Sequence, residues 1–404
     1  MRQVEQMAPE TALVYPKAVP GMGCWEHIKT KKETSYSIGS LSVDRYIRAN
    51  EANRAAIMHA IGLMDGAHTM TEIEKSLEEE LRVKLNVETL CRKLKATGLL
   101  EGQEGEAENS EMRIMGVKLL DIKIREAKPL TRKIWVGLWY FFAILYAVSL
   151  IMAVASMAFN FTKFQGFITG AYTFQNSYVL GALVTAAISV VSITLHECSH
   201  AAMAVRFGLQ PSSFKVSLYG GFQPYWVMKI RGIYTVKRSR RVLIMAAGLI
   251  TNVSLMVLCI NGYMYFDLQP LTAEFLGKFF FSNMYIIMGS LSPFRLSDGY
   301  FIICQMLGIT NLRPRVISMV GKLLRGKPAK EHPLMYIYGI IMFWLIGTGL
   351  YSLAIWAYHM SVELYHTISI KGLNILVMLL PWLFYGLTIG MFVRNFVRMM
   401  RRGE

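Results

Sequence analysis

Acidic residues are scarce in this chain: 27 Asp and Glu stand against 43 Lys and Arg in 404 positions, and charged residues make up only 17% of the whole. With 53% of residues apolar, so little charge excludes the disordered class and argues against a wholly soluble protein. Cysteine is rarer still. Cys24, Cys91, Cys198, Cys259 and Cys304 are five in number, scattered, and free of any CxxC pair. A disulfide scaffold and a cysteine-based zinc module are therefore excluded, and no structural disulfide is expected. Glycine, at 32 residues, is far below what a collagen-like repeat requires. The opening residues also lack the basic start and apolar core of a signal peptide, so the amino terminus is expected to stay cytoplasmic. What the chain has in abundance is long apolar sequence, the mark of a membrane protein with a soluble part.

The organisation follows from shifts in composition. Residues 1–33 carry Pro16 and Pro20 without apolar periodicity and read as a flexible tail. Residues 34–102 have the composition of a small soluble domain, with an extended segment through Val43–Ile47 and then three helical stretches. Thr69 followed by Glu72 predicts a capping box, and Asn86 predicts the start of a helix that closes at Gly98. Two strands and three short helices make an α+β, winged-helix-like module. Residues 103–133 comprise an acidic linker and a basic stretch, Lys118 to Lys133, expected to lie on the membrane surface.

Residues 134–404 hold six apolar runs, at 134–158, 177–200, 242–265, 277–306, 334–357 and 373–393. Each is long enough to cross a hydrocarbon core of about 30 Å. The fold class expected is a polytopic α-helical membrane protein with about six spans. The loop 205–241 carries Arg206, Lys215, Lys229, Arg231, Lys237, Arg238, Arg240 and Arg241, whereas the loop 159–176 carries Lys163 alone. This alternation places both termini inside. It also assigns most of the net charge of +16 to topology and lipid headgroups, which removes the main support for a nucleic-acid partner.

Charge within hydrocarbon is costly, so carboxylates inside the apolar runs are informative. There are two, Glu197 and Asp298. Glu197 lies in His196-Glu197-Cys198-Ser199-His200. On a helix, positions i and i+4 share a face, so both imidazoles can bind one zinc ion while the adjacent glutamate reaches the attacking water. The ordinary alternative is a pair of interfacial histidines beside a glutamate that reaches the headgroups. A catalytic zinc usually has three protein ligands. Asp298 is the obvious third, because the second and fourth runs both head inward and bring it to a similar depth. Alone, Asp298 would read as a turn aspartate before Gly299. His359 and His366 fall in an outside loop, His332 follows an inside loop, and His27, His59 and His68 belong to the soluble part.

Phe214 to Val236 alternates and is broken by Gly220, Gly221 and Pro224, which fits a β-hairpin whose edge binds an extended substrate, or else a plain cytoplasmic loop. Asn252 is a candidate to orient substrate or steady an oxyanion, with helix packing beside Gly248 as the ordinary alternative. Cys198 reads as packing.

The HECSH of 196–200, Ala247-Gly248 followed by Asn252, and Ser290-Leu-Ser-Pro293 leading to Asp298-Gly299-Tyr300 together resemble the site-2 protease family of intramembrane zinc metalloproteases, in its peptide zinc metalloprotease branch. Ser290 stands where that family usually has Asn. The resemblance covers roughly residues 134–320 and implies zinc held by His196, His200 and Asp298, with Glu197 as general base, in a bacterial cytoplasmic membrane. Residues 34–102 resemble the PqqD-like peptide-recognition modules through Val43-Asp-Arg-Tyr-Ile-Arg-Ala-Asn50, Leu63-Met-Asp65-Gly66, Thr71-Glu-Ile73 and Gly98-Leu-Leu-Glu101. Such modules bind leader peptides by strand addition. A DNA-binding winged helix is the alternative, and Glu78-Glu79-Glu80 argues against it. The expectation is a zinc endopeptidase that matures a ribosomally made, modified peptide before export, with a precursor or leader peptide and a peptide exporter as candidate partners. A regulatory protease of a membrane-bound substrate, or a non-proteolytic export or immunity component, are the alternatives.

Overall fold

The computed structural model describes residues 15–29, 34–102, 117–124, 128–159, 173–219, 223–291, 297–309, 312–326, 328, 331, 333–368 and 373–402. Its contacts divide the chain into two compact units, residues 1–132 with 204–241, and residues 133–203 with 242–404.

The first unit contains two antiparallel three-stranded sheets. In the first, β2 (Thr34–Ser40) lies between β1 (Met22–Lys29) and β3 (Arg45–Asn50). Three helices follow, α1 (Glu51–Leu63), α2 (Met70–Leu81) and α3 (Val87–Thr97). Their ends obey the sequence signals. Thr69 and Glu72 form the capping box, Asn86 accepts from the Thr89 N–H, and Gly98 closes α3 at φ 66°. Ile73, Leu77, Leu94 and Leu99 are fully buried and pack with Ile38 of the sheet into one core.

Strand β1 corrects the expectation of a tail over residues 1–33: Met22–Lys29 pairs with β2, so the module has three strands and begins well before Thr34. A bulge between Glu26 and Ile28 disturbs the alternation by which a strand is recognised in sequence.

The second sheet has the order β4 (Val117–Lys123), β5 (Gln210–Tyr219), β6 (Gln223–Arg231). The β5–β6 hairpin is the one expected within 214–236. Gly220 and Gly221, the expected substrate-binding glycines, lie outside the described residues. Strand β4 adds what the sequence did not show: Lys118–Lys123, expected at the membrane surface, is a strand hydrogen-bonded to β5. The loop 204–241 thus belongs with the N-terminal residues and not with the helices that flank it.

Within this unit the two sheets are tied together at residues 232–241. The Gly232 N–H donates to Asp44 Oδ1 at 2.8 Å, and Tyr46 meets Tyr234 edge-on. Arg241, fully buried, donates to the carbonyls of Glu26, His27 and Val236, while Arg238 Nη1 donates to the Lys29 carbonyl at 3.1 Å.

The second unit is helical: α4 (Pro129–Phe159), α5 (Tyr178–Arg206), α6 (Arg238–Tyr265), α7 (Pro270–Leu291), α8 (Asp298–Leu307), α9 (Leu312–Leu324), α10 (Pro333–Thr367), α11 (Leu373–Met378) and α12 (Leu380–Arg402), with α4, α5 and α6 beginning or ending in the first. Among the described residues five helical segments, not six, are long and apolar enough to cross a membrane: Pro129–Ser156, Tyr178–Arg206, Arg238–Tyr265, Pro333–Thr367 and Ile375–Arg394. The missing one is the run 277–306, which is divided between α7 and α8. Pro293 within it restricts the residue before it and removes a helix donor.

At the far end of α5 from its histidines, Glu363 of α10 accepts hydrogen bonds from the Ser177 hydroxyl and from the Tyr178 and Val179 N–H groups. A carboxylate there satisfies the open donors of the helix start. It also brings the α5 start and the α10 end together.

Candidate metal centre

His196 and His200 lie one turn apart on α5, with rings 4.8 Å apart at 81°. Both are buried. Each ring is fixed through Nδ1. His196 Nδ1 lies 2.5 Å from Asn252 Oδ1 on α6, and His200 Nδ1 lies 2.6 Å from the Ile244 carbonyl. The Ile244 carbonyl can only accept, so His200 carries its proton on Nδ1. The Asn252 amide is oriented likewise, because its Nδ2 donates to Asn283 Oδ1 at 2.7 Å, leaving Oδ1 to accept. Both Nε2 atoms therefore present lone pairs.

Those lone pairs converge on one oxygen. Asp298 Oδ2 is 2.8 Å from His196 Nε2 and 3.3 Å from His200 Nε2. His200 Nε2 is buried and, although near the carboxylate, lacks a hydrogen-bond alignment with any described group. With both rings neutral, the two imidazole lone pairs and the carboxylate oxygen repel one another, so the positive charge of a proton or a metal ion must lie between them. A metal ion supplies that charge, and ligand distances of about 2.0–2.1 Å put adjacent donors of a tetrahedral site about 3.3 Å apart. The donor set fits a metal on these grounds.

Two glycines permit the approach. A Cβ on Gly248 of α6 would lie 2.4 Å from His196 Nε2, and a Cβ on Gly299 would lie 2.8 Å from the Ser290 carbonyl. Gly299 thus lets the start of α8 pass against the end of α7 and carries Asp298 into the site. Ser297 precedes the helix in extended conformation, so Asp298 sits in the first turn, where a carboxylate is favoured. Glu197, half-buried, places a carboxylate oxygen within 4.8 Å of ligating nitrogens of both histidines.

The structure thus brings together His196, Glu197, His200, Asp298 and Asn252. The role expected of Asn252 changes, because its amide is engaged by His196 and Asn283 and is turned to the ligand ring instead of a substrate. The rival histidines are elsewhere: His359 stacks on Tyr178 at the start of α5, 18 residues and about 27 Å along that helix from His196. His332 lies outside the described residues.

Asn283 was missed by the sequence argument. Fully buried on α7, it accepts from Asn252 and donates to Ser192 Oγ at 3.2 Å and to the Phe279 carbonyl at 2.8 Å. A count of neutral amides inside apolar runs, alongside the carboxylates, would have found it. No protein-family model, curated protein or solved structure matches the chain.

Proposed function

We propose that the protein is a zinc metallopeptidase of the site-2 protease type, spanning a bacterial cytoplasmic membrane with both termini inside, the five long apolar helices being supplemented by α7 and α8, which together make the sixth crossing. The observation that carries this reading is the convergence of two Nε2 atoms on Asp298 Oδ2, at 2.8 and 3.3 Å, beside Glu197. His196, His200 and Asp298 would hold the ion. Zinc supplies Lewis acidity that polarises a scissile carbonyl and acidifies water.

The chain's own groups account for the rest. Glu197 takes the proton of the attacking water and delivers it to the leaving amine. Asn252 and the Ile244 carbonyl hold the two imidazoles in one tautomer and orientation, as outer partners of metal ligands do. The buried setting of both histidines excludes bulk water from all but the reacting face.

The N-terminal module is the substrate selector in this proposal, binding the leader of a ribosomally made precursor before export. Among the described residues the outer carbonyls of β1 are engaged by Arg238 and Arg241, which favours the β3 edge for strand addition. A second reading, cleavage of a membrane-embedded segment, has its own support in an apolar cleft of about 570 Å³ between α5, α7 and α10, lined by Ala182, Ser189, Tyr285 and Leu353 among others. Ser189 lies seven residues before His196, two helical turns along the same face.

The deciding experiment measures metal content and peptide cleavage on the same purified preparation, with soluble precursor and with an apolar helical peptide in micelles. Stoichiometric zinc with cleavage of the soluble precursor supports the maturation reading. Cleavage of the apolar helix alone supports the second, and a protein without zinc or cleavage would be a peptide receptor for export or immunity.

A further inference from the structure

The first unit contains a second polar cavity, of about 430 Å³, that the proposed chemistry does not use. Lys123, Lys215, Lys229 and Arg231 line it, against two carboxylates, Asp44 and Asp121. The cations come from all three strands of the second sheet. Lys123 of β4 pairs with Ser213 of β5, which pairs with Lys229 of β6, so these residues form one cross-strand row; Lys215 lies two residues beyond Ser213 on the same face. Asp44 is already committed, accepting from the Gly232 N–H and from the Tyr46 hydroxyl. Among the described residues neither Lys123 nor Lys215 forms an ion pair. Positive charge is thus concentrated in a cavity whose carboxylates do not balance it.

Chain connectivity fixes the level at which the cavity sits. Its residues crowd one end of the sheet, and at that end every strand joins a helix long and apolar enough to span a membrane. Lys123 precedes the start of α4 at Pro129 by six residues, Gln210 follows the end of α5 at Arg206 by four, and Arg231 precedes the start of α6 at Arg238 by seven. At no more than about 3.3 Å per residue the cavity is held within roughly 13–23 Å of three helix ends. That is the zone of lipid headgroups, where lysines and arginines are drawn to anionic lipid.

We propose that this cavity binds the phosphate of an anionic phospholipid headgroup, with Lys123, Lys215, Lys229 and Arg231 as its donors. Lysine ammonium groups suit a phosphate as mobile point charges, and the Arg231 guanidinium adds a directional donor. The same chemistry would accept free phosphate, and the test separates the two.

Full-length protein is reconstituted in nanodiscs of mixed phosphatidylglycerol and phosphatidylcholine, extracted, and the lipids retained on it are counted by native mass spectrometry. Wild type is expected to retain phosphatidylglycerol preferentially, each of Lys215→Gln and Lys229→Gln to lower that preference roughly fivefold, and the control Lys84→Gln, exposed, paired with Glu78 and not lining the cavity, to leave it unchanged. The Lys215→Arg/Lys229→Arg protein keeps the charge and should keep the preference, which guards against misfolding of the glutamine variants. Equal retention of both lipids by wild type, or undiminished preference in Lys215→Gln/Lys229→Gln, overturns the proposal. Calorimetric titration with inorganic phosphate forms the other arm: binding lost in the glutamine variants, without any lipid preference, would make the site one for a soluble anion and reject the headgroup.

Discussion

Gly248 stands so close to His196 that a methyl group in place of its hydrogen would lie 2.4 Å from Nε2, with Cε1 at 2.5 Å and Cδ2 at 2.6 Å. The face of α6 is thus the wall against which the first ligand ring is set, and the hydrogen bond from Nδ1 to Asn252 fixes its rotation. Gly248→Ala should push the ring out of line, with an overpacking cost of about 1–3 kcal/mol and a clear fall in bound zinc. Gly137→Ala on α4, where nothing lies within 4 Å of the added atom, serves as the matched control and should bind zinc normally. Metal analysis of both proteins checks this.

Asp298→Asn keeps the shape of the third donor and removes its charge. With only three protein donors, zinc retained after dialysis against a weak chelator should drop at least about tenfold. Wild-type occupancy in this variant would remove Asp298 from the site.

Asn252→Ala leaves all three donors in place and takes away the acceptor for His196 Nδ1–H. Zinc affinity should fall by about 10–100-fold, measured by competition with a chromogenic chelator. The Asn283→Ala variant should move affinity in the same direction by less, since it acts on the ring only through Asn252.

Glu197→Gln preserves size and removes the basic carboxylate. Cleavage per zinc-loaded molecule should fall by a factor of about a hundred or more, while zinc content stays at the wild-type level. Normal turnover by zinc-loaded Glu197→Gln would leave the receptor reading as the better account.

The first unit should loosen in mild acid. His27 is buried at 2% exposure, and burial, with the positive charges of Arg48 and Arg241, lowers its pKa to about 4 from the usual 6.5. Its folded pKa is depressed, so the unfolded chain binds more protons between these values and stability is lost as pH falls from about 6.5 toward 4, by at most about 3 kcal/mol. Amide exchange in Met22–Lys29, corrected for intrinsic pH effects, should speed up over that range in wild type. In His27→Leu the acceleration should be absent.

Helix ends were the most legible part of the fold, because Thr69, Glu72, Asn86 and Gly98 act through bonds to neighbours three or four residues away. The candidate ligands were legible for two reasons: His196 and His200 declare themselves by local spacing, and Asp298 by being a carboxylate in an apolar run. Strand β1 escaped because a bulge breaks its alternation and because its arginine partners lie more than 200 residues away. The same holds for β4, whose pairing with β5 is a long-range contact that local charge does not reveal. Asn283 is neutral, so a census of costly charges passed over it, although three of its partners depend on it.

The distance along the chain between His196 and Asp298, 102 residues, also sets an order of events during synthesis. At about 5–20 residues per second a ribosome delivers the histidines roughly 5–20 s before the aspartate. For most of that interval Asn283 of α7 has not been made either, so His196 lacks both its facing carboxylate and the full set of partners that fix its tautomer. On the proposed reading, a centre assembled this way stays incomplete while the growing chain is still unfolded and most easily cut, and is completed only when α5, α6, α7 and α8 stand together.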